Sequence, residues 1–334
     1  MSRHGPSRIF SARIIERQAL FEPHGIEGGT KERMRILAEG LQFPEGPVAL
    51  GDGSVLLVEM RAGLVVRISP DGERHVVADC GGGPNGAAIG PDGALYVCDN
   101  GGSAYVPGRF TSTGPAADYE GGSIRRFDLR TGEHTLLYTH CDDHRLSSPN
   151  DLVFDANGGF YLTDFGKKHA RLRDYGGVYY ALPDGSRIVE VAYPLLSPNG
   201  IGLSPDARVL YVAETETARL WAFDIVEPGV VRKHPFPSPH GGRIVCGLPG
   251  FQRFDSLALE AGGNICVATL ITGAVSVIAP DGTLLRQVVF PDSYVTNLCF
   301  GGPAMQTAYV TLSGTGQLAS LPWPEPGLRL HFNA

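Results

Sequence analysis

A short apolar run preceded by turn residues occurs six times along the chain. Runs of about five apolar residues bounded by Gly, Asp or Asn are typical of β-strands rather than of helices. The six runs with their leading turns are DGSVLLVEM (52–60), DGALYVCDN (92–100), GGFYLTDFG (158–166), DARVLYVAET (206–215), GGNICVATL (262–270) and QTAYVTLS (306–313). The pattern predicts strands joined by tight turns, and therefore an all-β fold.

A second apolar run follows each of the six after a short connection. Several of these runs end in a DG or TG pair, which is a strong signal for a hairpin turn. They are GLVVRISPDG (63–72), GSIRRFDLRTG (122–132), GGVYYALPDG (176–185), ARLWAFDIVEPG (218–229), GAVSVIAPDG (273–282) and GQLASLPWP (316–324). After most of them comes one more strand-like run, such as RHVVAD after the first.

A third motif precedes each pair of runs. The six copies are PEGP (44–47), PNGA (84–87), PNDL (149–152), PNGI (198–201), FDSL (254–257) and TNLC (296–299). Each unit therefore holds four antiparallel strands, and four-stranded units repeated at this period form the blades of a propeller. We predict a six-bladed β-propeller. The alternative, an irregular β-sandwich, would require three features to coincide six times.

The sixth unit is about one strand short of the others. RMRILAE (33–39) directly precedes the first motif, and we expect it to supply the missing outer strand and close the ring. On this reading residues 31–334 form one propeller domain, and residues 1–30 form an N-terminal arm.

The third motif has one polar position that varies between its six copies. Repeat topology places this position at the same end of the central channel in every blade. The first strand of a blade is innermost, and its entrance lies on the same face as the connection between the second and third strands. The variable residues are Glu45, Asn85, Asn150, Asn199, Asp255 and Asn297. We therefore expect two carboxylates and four amides to surround one mouth of the channel.

Composition and charge exclude several classes of protein. The 45 glycines and 25 prolines fit many tight turns, while 43% apolar residues are enough to build a core. A net charge of −7 without a basic run predicts neither nucleic acid nor an anionic membrane as a partner. The chain shows no apolar stretch expected of a signal peptide or a spanning helix. Six dispersed cysteines without a C-x-x-C pair indicate free thiols and a cytoplasmic location.

The ring of polar residues has the chemistry of a metal site. Two carboxylates crowded together raise each other's pKa unless a cation lies between them. Glu45 and Asp255, together with Asn oxygens, are hard donors that suit Ca²⁺, Mg²⁺ or Mn²⁺. The histidines and cysteines show no spacing typical of a zinc site. We expect one divalent ion, Ca²⁺ first, with Mg²⁺, Mn²⁺ and Zn²⁺ as the alternatives.

Several of these motifs together resemble one known family. PEGPV, SPNDLVFDANGGFYLTD, SPNGIGLSPDARVLYVAET and FDSLALEAGGNICVA are similar, in this order, to the SMP-30/gluconolactonase/LRE family over about residues 40–315. The resemblance implies a six-bladed propeller with one catalytic divalent metal on the channel axis. It also implies hydrolysis of lactones or, in some branches, of organophosphates.

The resemblance also implies roles for individual residues. The metal ligands are Glu45, Asn150, Asn199 and Asp255. Asp255 is also the general base, and Asn150 completes the coordination or orients substrate and water. Substrate-binding residues are expected to be Asn85, Ser148, Tyr105 and Asn297. Sugar-lactonase relatives often carry Arg where this chain has Ser148, so the resemblance does not point to an aldonolactone.

Two long connections are expected at the mouth of the channel. Residues 101–122 and 166–177 lie in the predicted loops on that face, and the first contributes Tyr105, Phe110 and Tyr119 to an aromatic lining. The predicted function is metal-dependent hydrolysis of a small lactone or ester. A phosphotriesterase that uses the same site and a non-catalytic propeller that binds a small ligand are the alternatives.

Overall fold

Antiparallel β-sheets make up the regular structure of the computed structural model, which describes residues 34–106 and 111–333. Six sheets of four strands or more account for most of the strands. The innermost strand of each sheet packs against those of both neighbouring sheets, and the sixth packs against the first. The sheets therefore form a closed ring, which confirms the six-bladed propeller.

The blades are numbered in chain order from the first PEGP motif, and their strands A to D run from the channel outward. The A strands are Pro44–Ala49, Pro84–Ile89, Pro149–Phe154, Pro198–Leu203, Arg253–Leu259 and Val295–Gly301. The B strands are Val55–Glu59, Leu95–Asp99, Phe160–Asp164, Val209–Glu214, Ile265–Leu270 and Thr307–Leu312. The C strands are Leu64–Ile68, Ser123–Phe127, Gly176–Ala181, Arg219–Glu227, Ala274–Ile278 and Gln317–Pro322.

The D strands differ more between blades. In blades 1, 2, 3 and 5 they are Arg74–Asp79, His134–Tyr138, Ile188–Leu195 and Leu284–Val289. Blade 4 has a divided outer edge, because strand C pairs with both Val230–Arg232 and Arg243–Gly247. Two short hairpins lie outside the blades and pair Ser103–Ala104 with Gly114–Pro115 and His140–Cys141 with His144–Arg145.

Blade 6 takes its outer strand from the other end of the chain. Arg35–Ala38 pairs antiparallel with strand C of that blade, with Ile36 opposite Ala319. This confirms the closure expected from the short sixth unit. The arm predicted for residues 1–30 lies outside the residues that the structure describes.

The core lies between the blades rather than inside one sheet. Buried apolar side chains form six clusters, one for each pair of adjacent blades. Between blades 2 and 3, for example, the ring centroids of Tyr96 and Phe154 lie 5.0 Å apart in an edge-to-face arrangement. Each blade therefore stabilises both of its neighbours, and the ring holds the channel in shape.

Every A strand has an irregular register at the third sequence motif. In blades 2 to 5 two residues fall outside the regular pairing, as between Pro149 and Leu152. A bulge of this kind turns a side chain away from the regular alternation of the strand. Glycine follows the polar residue in three of the motifs because the next backbone is close: a Cβ on Gly200 would lie 2.4 Å from the amide nitrogen of Leu257.

All six cysteines, which lie within the described part of the chain, are free thiols, as expected. The cytoplasmic location inferred from them stays a prediction. Within residues 34–106 and 111–333, no helix has the length and apolar character needed to cross a membrane.

Candidate functional site

A cavity of about 230 Å³ lies at the end of the channel where the A strands begin. Its walls come from the A strands of blades 1 to 5 and from the connections between strands B and C. The predicted residues that line it are Glu45, Asn85, Tyr105, Ser148, Asn150, Asn199 and Asp255. The structure therefore gathers seven of the eight predicted site residues around one space.

The four predicted metal ligands are buried side chains with few hydrogen bonds to the protein. Their exposed fractions lie between 3% for Glu45 and 8% for Asp255. Asn199 is held from both sides: its Nδ2 donates to Thr215 Oγ1 over 3.2 Å, and its Oδ1 accepts from Ser256 Oγ over 3.3 Å. These two contacts hold the Asn199 side chain in place without a ligand.

Asn150 differs from the other three ligands in its hydrogen bonding. Its Oδ1 is buried and has no hydrogen-bond partner within the described residues. A buried amide oxygen without a partner costs about 1–3 kcal/mol, so such atoms usually await a ligand, a water or an ion. Asn150 lines the same cavity as Glu45 and Asp255.

The site carboxyls are held in an environment that opposes ionisation. Burial, and next the charge of Asp255, raise the pKa of Glu45 well above its ordinary value. Burial likewise raises the pKa of Asp255 to about 8, with the charge of Asp151 adding to the effect and Asn199 opposing it. A cation placed between the carboxylates would remove the cause of these shifts, because it favours the ionised forms.

Asn297 does not line this cavity. In blade 6 the register shift falls between Val295 and Asn297, so Thr296, rather than Asn297, falls outside the regular pairing as the ring residues of blades 2 to 5 do. Asn297 lies one residue further along and lines a second cavity, of about 560 Å³. Its Nδ2 donates to Glu45 Oε2 over 3.3 Å, so it contacts the site through that carboxylate.

Asp151 is a site-associated residue that the sequence analysis missed. It follows Asn150 within the bulge and lines the second cavity together with apolar side chains of the A strands. Burial raises the pKa of Asp151 to about 7. The PND motif contains Asp151, so the sequence did point to this position. In a bulged strand, however, side chains do not alternate regularly, and the sequence does not reveal which of Asn150 and Asp151 faces which cavity.

The loop of residues 101–122 contributes to the wall of the cavity. Tyr105 lines it, and the guanidinium of Arg61 lies 4.5 Å from the centre of the Tyr105 ring. Tyr119 donates from its hydroxyl to the Ser147 carbonyl oxygen over 2.6 Å and so anchors the loop to blade 3. Phe110, which was also expected in the lining, falls outside the residues that the structure describes.

Basic side chains on the wall were not assigned a role from the sequence. Lys167 and Lys168 come from the predicted loop 166–177 and line the cavity with Arg173 and Arg253; Lys167 is buried and Lys168 is exposed. Both arginines bind the same carboxylate, that of Glu216, over 2.9 and 3.1 Å. The pair of lysines in the GKKHARLRDYGG segment was the available signal, but the sequence does not show which of them is buried.

The donor set fits a hard divalent cation. The described residues contain no group of three or more His, Cys, Asp and Glu side chains that could hold a metal ion. The site here combines two carboxylates with two amides, and none of the described residues lining the cavity is His or Cys. Oxygen donors alone suit Ca²⁺, Mg²⁺ or Mn²⁺ better than Zn²⁺.

The chain is thus a six-bladed propeller with buried carboxylates and amides at one mouth of its channel. Residues 43–314 match the SMP-30/Gluconolactonase/LRE-like region, and the chain belongs to this family. A gluconolactonase of Zymomonas mobilis is 27% identical over 84% of this chain and 79% of its own length. The lactonase drp35 of Staphylococcus saprophyticus is 32% identical over 77% of this chain and 72% of its own.

A solved structure supports the same relationship. That of a gluconolactonase from Xanthomonas campestris superimposes with a TM-score of 0.69 at 25% identity, covering 87% of this chain and 90% of its own. The family expected from the sequence motifs is therefore confirmed.

Proposed function

We propose that the protein hydrolyses a small lactone at the cavity and that a divalent cation, held by Glu45, Asn150, Asn199 and Asp255, is required. Two relatives are named gluconolactonase and lactonase, which supports the reaction class. The buried oxygen donors that line the cavity support the cation.

The unpartnered Oδ1 of Asn150 is the observation that carries the proposal. The atom is buried, and Asn150 lines the cavity from the strand next to that of Asn199. A structural amide in a closed core would be expected to have a partner. A bound cation would give this oxygen a partner and would compensate the charges of Glu45 and Asp255 at the same time.

A divalent cation bound there would act as a Lewis acid on the lactone carbonyl and would make a nearby water easier to deprotonate. The protein residues supply the rest of the chemistry. Asn150 has one amide nitrogen beside its coordinating oxygen, and this Nδ2 can donate to the substrate and orient it. The carboxylates and amides themselves are buried, which strengthens the charge interactions among them.

Asp255 is the proposed general base. One of its carboxylate oxygens accepts a proton from the water that attacks the carbonyl carbon. When the ring carbon–oxygen bond breaks, the same oxygen returns the proton to the departing alkoxide, and the product is a hydroxy acid. Burial raises the pKa of Asp255 to about 8 in the absence of a cation, which supports proton uptake by this carboxyl near neutral pH. A cation would lower that value into the range of a working base.

The proposal is tested by measuring acid release, in a pH-stat, from sugar, aliphatic and aromatic lactones and from phosphotriesters. We expect lactone turnover with Ca²⁺ or Mn²⁺ and none after metal removal. Asp255→Asn should lose at least about 100-fold in kcat. Asp281→Asn, a change to an exposed turn carboxylate, is the matched control and should keep the wild-type rate.

Each result decides one part of the proposal. Turnover of phosphotriesters but of no lactone would replace the substrate class and keep the site. Equal rates with and without metal would reject the cation. A wild-type rate for Asp255→Asn would reject its role as the base, and no turnover on any substrate would support a non-catalytic binding protein.

A further inference from the structure

Lys167 is a buried cation on the wall of the cavity. It follows strand B of blade 3 and is 4% exposed. Its Nζ donates to the Asn100 carbonyl oxygen over 2.6 Å and lies 3.3 Å from Asn100 Oδ1. The same Nζ stands 4.6 Å from the centre of the Tyr119 ring. These contacts hold the ammonium group in one position but do not neutralise it.

Within the described part of the chain, Lys167 forms no ion pair with a carboxylate. The nearest acidic groups are Asp99, Asp164 and Asp174, which act on it at longer range. Asp99 binds Arg125 over 3.0 Å, and Asp164 accepts three backbone N–H groups. These two carboxylates are therefore engaged elsewhere.

The third carboxylate, that of Asp174, bonds to the Ser147 hydroxyl and to a backbone N–H of its own loop. Its Oδ2 accepts from Ser147 Oγ over 3.0 Å and lies 3.3 Å from the Lys167 backbone nitrogen. A buried ammonium without a counter-ion is costly, and its pKa falls to about 8, mainly because of burial. Below pH 8 the Lys167 ammonium group is still charged. An anion can reach this group from the cavity that Lys167 lines.

The other charges of the wall add to this positive character. Arg173 and Arg253 share one carboxylate, that of Glu216, so this group of three side chains keeps one positive charge in excess. A cation at the proposed metal site would compensate Glu45 and Asp255. The remaining wall would then attract an anion.

We propose that the substrate is an anionic lactone, one that carries a carboxylate beside its ring, and that Lys167 pairs with this carboxylate. This inference rests on the proposed lactonase function and specifies the substrate class of the same site. The ammonium group has three N–H donors. Asn100 supplies two acceptors, so the third N–H remains for a charge-assisted hydrogen bond to the ligand. Lys167 is thus a specificity-determining residue rather than a residue of the bond-breaking step.

The experiment compares two lactones of the same ring, one with a carboxylate and one with a hydroxymethyl group at the same carbon. The wild-type protein should prefer the carboxylate form by at least tenfold in kcat/KM. Lys167→Met should reduce that preference by tenfold or more, through KM rather than kcat. Lys167→Arg, which keeps the charge, should retain most of it. Arg171→Met removes an exposed charge from the same loop and should leave the preference unchanged.

The outcomes separate this inference from the proposed function. If the wild-type protein opens neither lactone, the proposed function fails. If it opens the neutral lactone equally well or better, or if Lys167→Met lowers both activities by the same factor, the anionic substrate is rejected while lactonase activity stands. Thermal melts show whether each variant folds.

If Lys167→Met does not fold, the wild-type protein supplies the test. Its KM for the carboxylate lactone should rise above pH 8, as Lys167 loses its proton, relative to the KM for the neutral lactone. It should also rise from low to high salt, because screening weakens the ion pair. Parallel behaviour of the two lactones would overturn the inference.

Discussion

Asn297 Nδ2 donates to Glu45 Oε2 over 3.3 Å, and this bond joins the last blade to the first at the channel axis. The two residues are 252 positions apart in the chain. The hydrogen bond lowers the pKa of Glu45, against the larger effect of burial. Asn297 therefore acts on the proposed metal site although its side chain lines the other cavity.

The first prediction concerns this bond. Asn297→Ala should weaken Ca²⁺ binding by about tenfold, because partners of ligand residues typically contribute 10–100-fold to metal affinity. Isothermal titration at constant pH measures the change. Asn264→Ala removes a similar amide–carboxylate bond, to Glu260 in blade 5, and should not alter the affinity. Equal affinities for wild type and Asn297→Ala would show that Glu45 does not depend on this contact.

The second prediction concerns pH and the metal-free protein. The pKa of Asp255 is raised to about 8 and that of Asp151 to about 7, against about 4 for an unfolded Asp. A carboxyl with a raised folded-state pKa binds its proton more tightly when folded. Its stabilising contribution is therefore complete below pH 4 and is lost as the pH rises through 7 to 8. The melting temperature of the metal-free protein should fall by several degrees from pH 5 to pH 8.

Ca²⁺ should remove most of this pH dependence, since it stabilises the ionised carboxylates. Asp255→Asn should make the metal-free melting temperature higher at pH 8 and flatter with pH, because the neutral amide has no proton to lose. Asp281→Asn is again the control. A metal-free protein that is equally stable at pH 5 and pH 8, or whose slope Asp255→Asn leaves intact, contradicts the assignment.

The third prediction concerns the close approach of two A strands. Gly46 has a φ of +51°, and a Cβ there would lie 2.5 Å from the Asn85 carbonyl oxygen and 2.8 Å from the Ala87 nitrogen. Because both neighbours are backbone atoms, Gly46→Ala should cost about 2 kcal/mol or more of unfolding free energy. Denaturant titration measures it. A Cβ at Gly262 meets nothing within 4 Å, so Gly262→Ala should stay close to wild type. Equal stability of the two variants would mean that the strands can separate freely.

The fourth prediction concerns ring closure. Ile36 is partly buried and packs against the core cluster between blades 5 and 6, whereas Arg35 beside it is exposed. Ile36→Asp should lower the unfolding free energy by about 2 kcal/mol or more, because it places a charge against apolar side chains. Arg35→Asp changes the same strand at an exposed position and should have a much smaller effect. Similar losses in both variants would argue that surface charge, rather than packing of the closing strand, is responsible.

The repeat pattern was sufficient to predict most of the candidate site. Glu45, Asn150, Asn199 and Asp255 occupy equivalent places in four repeats, and repeats related by rotation bring equivalent places to one axis. Asn297 corresponds to these residues in the aligned repeats but does not line the cavity in the structure. The register shift of blade 6 falls one residue earlier, and the pairing with strand B, rather than the local sequence, decides it.

The burial of Lys167 could not be predicted from the sequence. Its burial depends on Asn100 and Tyr119, which lie 67 and 48 residues away in a different blade and its loop. The sequence shows two adjacent lysines in a loop, and nothing local distinguishes a solvated one from a buried one.

The number of blades, the closing strand and the polar side chains at the channel mouth can all be predicted from the sequence, because they follow from a repeating pattern of short strands and turns. The three-dimensional fold sets which side chain of each bulge faces which cavity, and it places the unpaired Lys167 ammonium on the wall. Those outcomes depend on strand register and on packing between distant segments, and neither is a property of a single repeat.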